Sequence, residues 1–202
     1  MTCDPSEVLR RVCQSIEHDR LADAAAIISK DYPFTPFSNV GRRYSVLQCM
    51  RMFIRDGFID RYSGTRLVFP GTLRLLSILL PAEFPFQSNW RTDMCHFAFW
   101  EIFPTIDHRV PVSRGGDDAE DNWVTTSMVR NAAKANFTVE ELGWRMVPPG
   151  DLGTWDGLTS WCLRECERRT DFASSDYLRR WTEAARRALT EVNPGIVVEP
   201  IR

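Results

Sequence analysis

Lysine is almost missing from this chain. Of its 25 basic residues only Lys30 and Lys134 are lysine and 23 are arginine, a bias that genome composition alone can produce. It leaves Lys134 hard to dismiss as surface filler. Paired cysteines are missing too: Cys3, Cys13, Cys49, Cys95, Cys162 and Cys166 are scattered with no CxxC among them. That excludes a zinc knuckle and a secreted disulfide framework, so buried thiols are expected. Cys162 and Cys166 lie one helical turn apart and would need Cys95 and His96 beside them to hold zinc, so structural zinc is not expected. No run of about eighteen apolar residues occurs. Met1 to Arg20 has no basic start followed by an apolar stretch, so neither a membrane span nor a signal peptide is expected, and the cytoplasm is the default. A net charge of −2 provides no global attraction to nucleic acid.

What is present is enough hydrophobic content, 44% over 202 residues, for one domain with appendages or two small ones. Asp4 and Pro5 read as an N-cap and first turn, with Val8, Leu9, Val12 and Ile16 at helical spacing. A second helix through Leu21 to Ile28 completes an N-terminal helical hairpin over 1–31, read as a packing element. The proline-bearing stretch from Tyr32 to Asn39 reads as an extended strap. Ser45 caps a helix carrying Val46, Leu47, Met50, Phe53 and Ile54, which ends at Gly57. FIDRY and TRLVF around Ser63 and Gly64 predict a β-hairpin. Seven arginines between Arg42 and Arg74 face only Asp56 and Asp60, which reads as a phosphate-contacting platform in this 32–91 region. A short apolar helix over Leu73 to Leu80 follows, stopped by Pro81.

Residues 92–144 hold the chemistry. Thr92 to Glu101 predicts a helix, on which His96 reads as a satisfied structural histidine. Pro104 and Pro111 bracket a short strand containing Asp107 and His108, SRGGDDAED is a loop, and Asn122 to Thr126 is a returning strand. Ser127 then caps a helix on which Asn131 and Lys134 share a face. The product is a ββα unit. A proton acceptor, hard oxygen ligands and a phosphate-seeking cation fall within it, a set suited to metal-assisted phosphodiester hydrolysis. Thr138 and Glu141 form a capping box for a short helix ending at Gly143. Amphipathic helices from Trp155 to Arg168 and from Asp176 to Leu189 close the 145–202 region. Helices of this kind pack on the body or on a second copy, so a homodimer stays open.

The pattern DHxxP, a Gly-rich loop, DN and RNxxK resembles an HNH endonuclease of the ββα-metal superfamily. The resemblance covers residues 103–144, about a fifth of the chain. It implies an α+β, predominantly helical fold in which an HNH core is flanked by helices and a β-hairpin. It also implies that His108 is the general base and that Asp107 and Asn131 ligate one divalent ion. Asn122 would hold the loop so that His108 is oriented. Lys134, Arg130, Arg109 and Arg114 would contact nucleic acid. With Asn131 in place of the third-letter histidine, this is an H-N-N variant, which favours Mg²⁺ or Mn²⁺ over zinc. Aromatic packing from Phe103, Trp123, Phe137 and Trp144 is expected to replace the zinc staple of many relatives.

The expected function is therefore metal-dependent cleavage of DNA with weak sequence preference, in restriction or phage defence. Two alternatives remain: an RNase or toxin nuclease, and a non-catalytic nucleic-acid-binding protein on the same fold. The reading makes a spatial demand. Alternation in a strand sends Asp107 and His108 to opposite faces, so both reach one site only if the strand twists or ends there. The carboxylate of Asp107 must lie near the amide of Asn131, and the imidazole of His108 must be open to solvent.

Overall fold

The protein is described here by a computed structural model that covers residues 4–34, 44–169 and 175–192. It divides into two compact units, residues 1–41 and 42–202. The first contains α1 (Pro5–Glu17) and α2 (Leu21–Asp31). Asp4 caps α1 by accepting from the Ser6 amide, and Pro5 occupies the first turn, where its missing N–H costs nothing. Arg11 donates to Asp31 at 2.6 Å and ties the two helices together. Most of the strap from Tyr32 to Asn39 lies outside the described residues, as do Arg42 and Arg43.

The second unit is α+β. Its elements are α3 (Val46–Arg55), α4 (Pro70–Leu79), α5 (Ala98–Glu101), β1 (Pro104–His108), β2 (Trp123–Ser127), α6 (Met128–Lys134), α7 (Thr159–Arg168) and α8 (Asp176–Val192). Ser45 and Gln48 close a reciprocal capping box at the start of α3. The main core lies among α3, α4, α7 and α8, with Phe53, Phe58, Phe69 and Trp181 at its centre. Ile106 of β1 and Trp123 of β2 reach into that core, which seats the small sheet on α3.

β1 and β2 are antiparallel, with Asp107 opposite Val124 and His108 opposite Trp123. Two buried carboxylates anchor β2 along its other edge. Asp56 accepts from the Thr125 amide at 2.7 Å, and Asp60 accepts from the Ser127 amide and the Thr126 hydroxyl. The Arg61 amide also donates to the Thr125 carbonyl at 2.9 Å.

Several local expectations are corrected. The hairpin around Ser63 and Gly64 is a single bridge, Ile59 to Arg66. Asp60 folds the intervening chain back by accepting from the Tyr62 and Ser63 amides, and Arg61 pairs with β2 instead. The helix expected over Thr92 to Glu101 shrinks to four residues, because the His96 amide donates to the Pro85 carbonyl and leaves the helical register. The Thr138–Glu141 capping bonds form, yet the segment closes as a turn at Gly143 with φ of +65°. The helix expected from Trp155 starts at Thr159, since Gly157 and Leu158 are both left-handed. Phe137, expected in the core, is 51% exposed.

Candidate active site

The segment from β1 through the glycine loop to β2 and α6 forms the strand, loop, strand, helix unit. Asn122 holds its loop. The side-chain oxygen accepts from the Val110 amide at 2.9 Å, and the side-chain nitrogen donates to the Val110 and Asp117 carbonyls at 2.9 and 2.8 Å. Gly116 lies under this clamp, where a Cβ would sit 2.0 Å from the Val110 carbonyl oxygen. Only glycine fits there, so the loop's close approach is written into its sequence.

The loop brings Asp118 to His108, with 2.7 Å between the carboxylate Oδ1 and imidazole Nε2. Trp123 Nε1 lies 3.1 Å from the same ring nitrogen and 3.0 Å from the same carboxylate oxygen. Tyr44 adds its hydroxyl at 3.5 Å. His108 is consequently buried, its side chain only 7% exposed. This departs from the openness to solvent that a general base requires, and the cause is that Asp118, Trp123 and Tyr44 close around the ring.

The pleat separates Asp107 from His108. Asp107 Oδ2 accepts from the Tyr62 hydroxyl at 2.6 Å and pairs with Lys134 Nζ at 3.0 Å. Burial, and then the neighbouring Asp107 carboxylate, push the Tyr62 phenol far above its ordinary range, so it stays protonated as the donor. Lys134 is fully buried and also donates to the His108 carbonyl at 2.7 Å. Its ammonium therefore works inside the fold, between β1 and Tyr62, and is turned away from any phosphate at the surface. The expected meeting of the His108 and Asp107 side chains around one pocket is not formed in this conformation. Lys134 is what touches both residues.

Asn131 stands beside β1, its side-chain nitrogen donating to the Ile106 carbonyl at 3.2 Å. That bond turns the amide nitrogen toward β1, and no hydrogen bond to the amide oxygen forms among the described residues. The hydrogen bonds to the Asp107 carboxylate both fall on Oδ2, which leaves Oδ1. A carboxylate and an amide oxygen are each hard ligands of the kind a divalent cation keeping most of its waters takes. Among the described residues, no three His, Cys, Asp or Glu side chains come together as a ready ligand set. The pairing of Asp107 with an ammonium also lowers the negative charge a cation would meet.

The surface arginines differ in availability. Arg114 pairs with Glu141, and Arg130 lies over the Trp144 ring at 5.3 Å. Arg109 is exposed and lines a cleft of about 300 Å³ with Arg55, Arg61, Asp121, Trp123 and Met146. Within that cleft Arg55 is spent on the Glu120 and Trp123 carbonyls, and Arg61 on the Val147 carbonyl and Asp56. The other described members of the arginine run are also engaged: Arg51 with Glu191, Arg66 over Trp155, and Arg74 over Phe86. The run between Arg42 and Arg74 is therefore largely structural wherever it is described.

Sequence reasoning missed Tyr62, Asp118, Asp56 and Asp60. The doubled aspartate after two glycines, Asp117 and Asp118, was a visible signal for one of them, since a tight turn aims whatever follows it. Nothing local marks the other three. Comparison with protein-family models, curated proteins and solved structures returned no match for this chain.

Proposed function

We propose that this chain is a metal-dependent endonuclease of the HNH kind, an H-N-N variant that hydrolyses phosphodiester bonds in DNA. The observation that carries the reading is the three-bond clamp of Asn122, which fixes the glycine loop against β1 next to the unit's only histidine. In this reading His108 takes a proton from water. The water oxygen bonds to phosphorus, the bond from phosphorus to the 3′ oxygen breaks, and the departing oxygen takes a proton from solvent. Asp107 and Asn131 would hold Mg²⁺ or Mn²⁺. When bound, such an ion stabilises charge on the phosphate and on the departing oxygen. Tyr62 and Lys134 orient the Asp107 carboxylate by gripping one of its oxygens. Arg109 and Arg130, on the exposed side, contact flanking phosphates. Restriction or phage defence is the setting such an activity suits.

The burial of His108 and the Lys134–Asp107 pair favour a second reading, in which the unit binds nucleic acid without cutting it. A plasmid-nicking assay across Mg²⁺, Mn²⁺, Ni²⁺ and Zn²⁺, with single-stranded DNA and RNA in parallel, separates the two. Wild type is expected to nick duplex DNA with Mg²⁺ or Mn²⁺. His108→Ala and Asn131→Ala are expected to lose cleavage while keeping their mobility shift. Cleavage confined to RNA would replace the DNA reading with an RNase or toxin, and binding without cleavage under every metal would replace it with the second reading.

A further inference from the structure

Two groups of opposite hydrogen-bonding character crowd His108 Nε2, and the Tyr44 hydroxyl, farther off at 3.5 Å, can serve as either donor or acceptor. The indole N–H of Trp123 can only donate, whereas the carboxylate of Asp118 can only accept. Nε2 cannot accept from the first and donate to the second at once. The 2.7 Å approach of Asp118 Oδ1 needs a proton between the two atoms, and the indole has the same Oδ1 as an alternative acceptor at 3.0 Å. Both conditions are met by one arrangement. The ring carries its proton on Nε2, and His108 and Trp123 both donate to Asp118. When the ring is neutral, Nδ1 is then its basic nitrogen.

We infer that Asp118 is a positioning residue that fixes the tautomer of His108, so that Nδ1 receives the proton from water. The inference rests on the reading of His108 as a general base. It also assigns a purpose to the glycine loop. Gly115 is left-handed at φ of +88°, Gly116 passes against Val110, and Asn122 grips the Asp117 carbonyl, the peptide next to Asp118. A catalytic base whose second nitrogen is held by a carboxylate is a recurring solution to orienting an imidazole. Here the carboxylate comes from a loop, and an indole N–H shares it.

The indole makes the consequence of losing Asp118 specific. In Asp118→Ala the acceptor is gone and the Trp123 N–H, 3.1 Å from Nε2, favours a nitrogen that accepts, to which the Tyr44 hydroxyl at 3.5 Å can also donate. The favoured tautomer inverts and Nδ1 becomes protonated. In Asp118→Asn the side-chain oxygen can still accept from both donors, so the original tautomer persists.

The test is long-range ¹H–¹⁵N NMR of the His108 ring in metal-free full-length protein, at a pH where the ring is neutral. The Nε2–H pattern is expected in wild type and Asp118→Asn, and the Nδ1–H pattern in Asp118→Ala. Backbone amide spectra check that each variant is folded. In parallel, kcat for cleavage is expected to fall by about 100-fold or more in Asp118→Ala with KM little changed, and to recover substantially in Asp118→Asn. An Nδ1–H pattern in wild type, or an unchanged tautomer and kcat in Asp118→Ala, overturns the inference. Absence of cleavage in wild type would instead count against the nuclease reading, and the NMR result would still decide what Asp118 does to the ring.

Discussion

Lys134 shows how far a single residue can be read before the fold is known. Its rarity, and its place three residues after Asn131 on a helix, marked it as significant. Its burial depended on Tyr62 and on the His108 carbonyl, which no local pattern brings next to it. Burying an ammonium without a partner is prohibitive, and the Asp107 carboxylate at 3.0 Å makes it tolerable. Removing the cation strands the carboxylate beside Tyr62. Lys134→Met is therefore expected to destabilise the protein by about 3 to 5 kcal/mol, the usual cost of breaking one side of a buried pair. Urea or thermal melts would measure it, and a loss of under about 1 kcal/mol would mean that the ammonium is not enclosed as described.

Among elements, strands and helices were more legible than the turns joining them. The proline brackets located β1, the apolar run located β2, and Ser127 capped α6 as its residue type suggests. Thr138 and Glu141 also made their capping bonds, but Gly143 turned the chain before a helix could grow. Capping chemistry starts a helix, and it cannot supply the residues that continue one. Glu141 has a second role, tying that turn to the glycine loop through Arg114. The Arg114 guanidinium, helped by the Thr138 amide, holds its carboxyl down to about 2. A carboxylate depressed in the folded state supports structure above its ordinary value of about 4.5 and loses that support as pH falls toward 2. NMR titration should place the Glu141 midpoint near 2 in wild type and well above that in Arg114→Ala. Equal midpoints would show that loop and turn are not joined.

At the scale of the molecule, charge counting along the sequence was the least reliable guide. Seven arginines against two aspartates suggested a phosphate platform, but Asp56 and Asp60 are buried and Arg55 and Arg61 are consumed in bracing β2. Exposure and partners decide whether an arginine is available to a polyanion, and neither is printed in a sequence. Arg109, in contrast, is exposed. Its backbone amide donates to the Asn122 carbonyl, and its guanidinium makes no hydrogen bond or ion pair with the described residues. Arg109→Ala is expected to weaken duplex binding and to reduce the slope of log affinity against log salt by about 1, whereas Arg51→Ala leaves that slope unchanged. Fluorescence anisotropy over a salt series measures both, and equal slopes in the two variants would remove Arg109 from the proposed phosphate contacts.

The bracing of β2 bears on where such a unit can be cut from its host. Strand residues Thr125, Thr126 and Ser127 complete their bonding with Asp56, Asp60 and Arg61, which come from a distant stretch of chain. Lifted out alone, residues 103–144 would lose those partners and leave the strand's inner edge bare. The strand, loop, strand, helix segment is thus a tenant of the helical body rather than a portable cassette. Transplanting it, or trimming the protein down to it, would require carrying α3 and the chain through Tyr62 along with it.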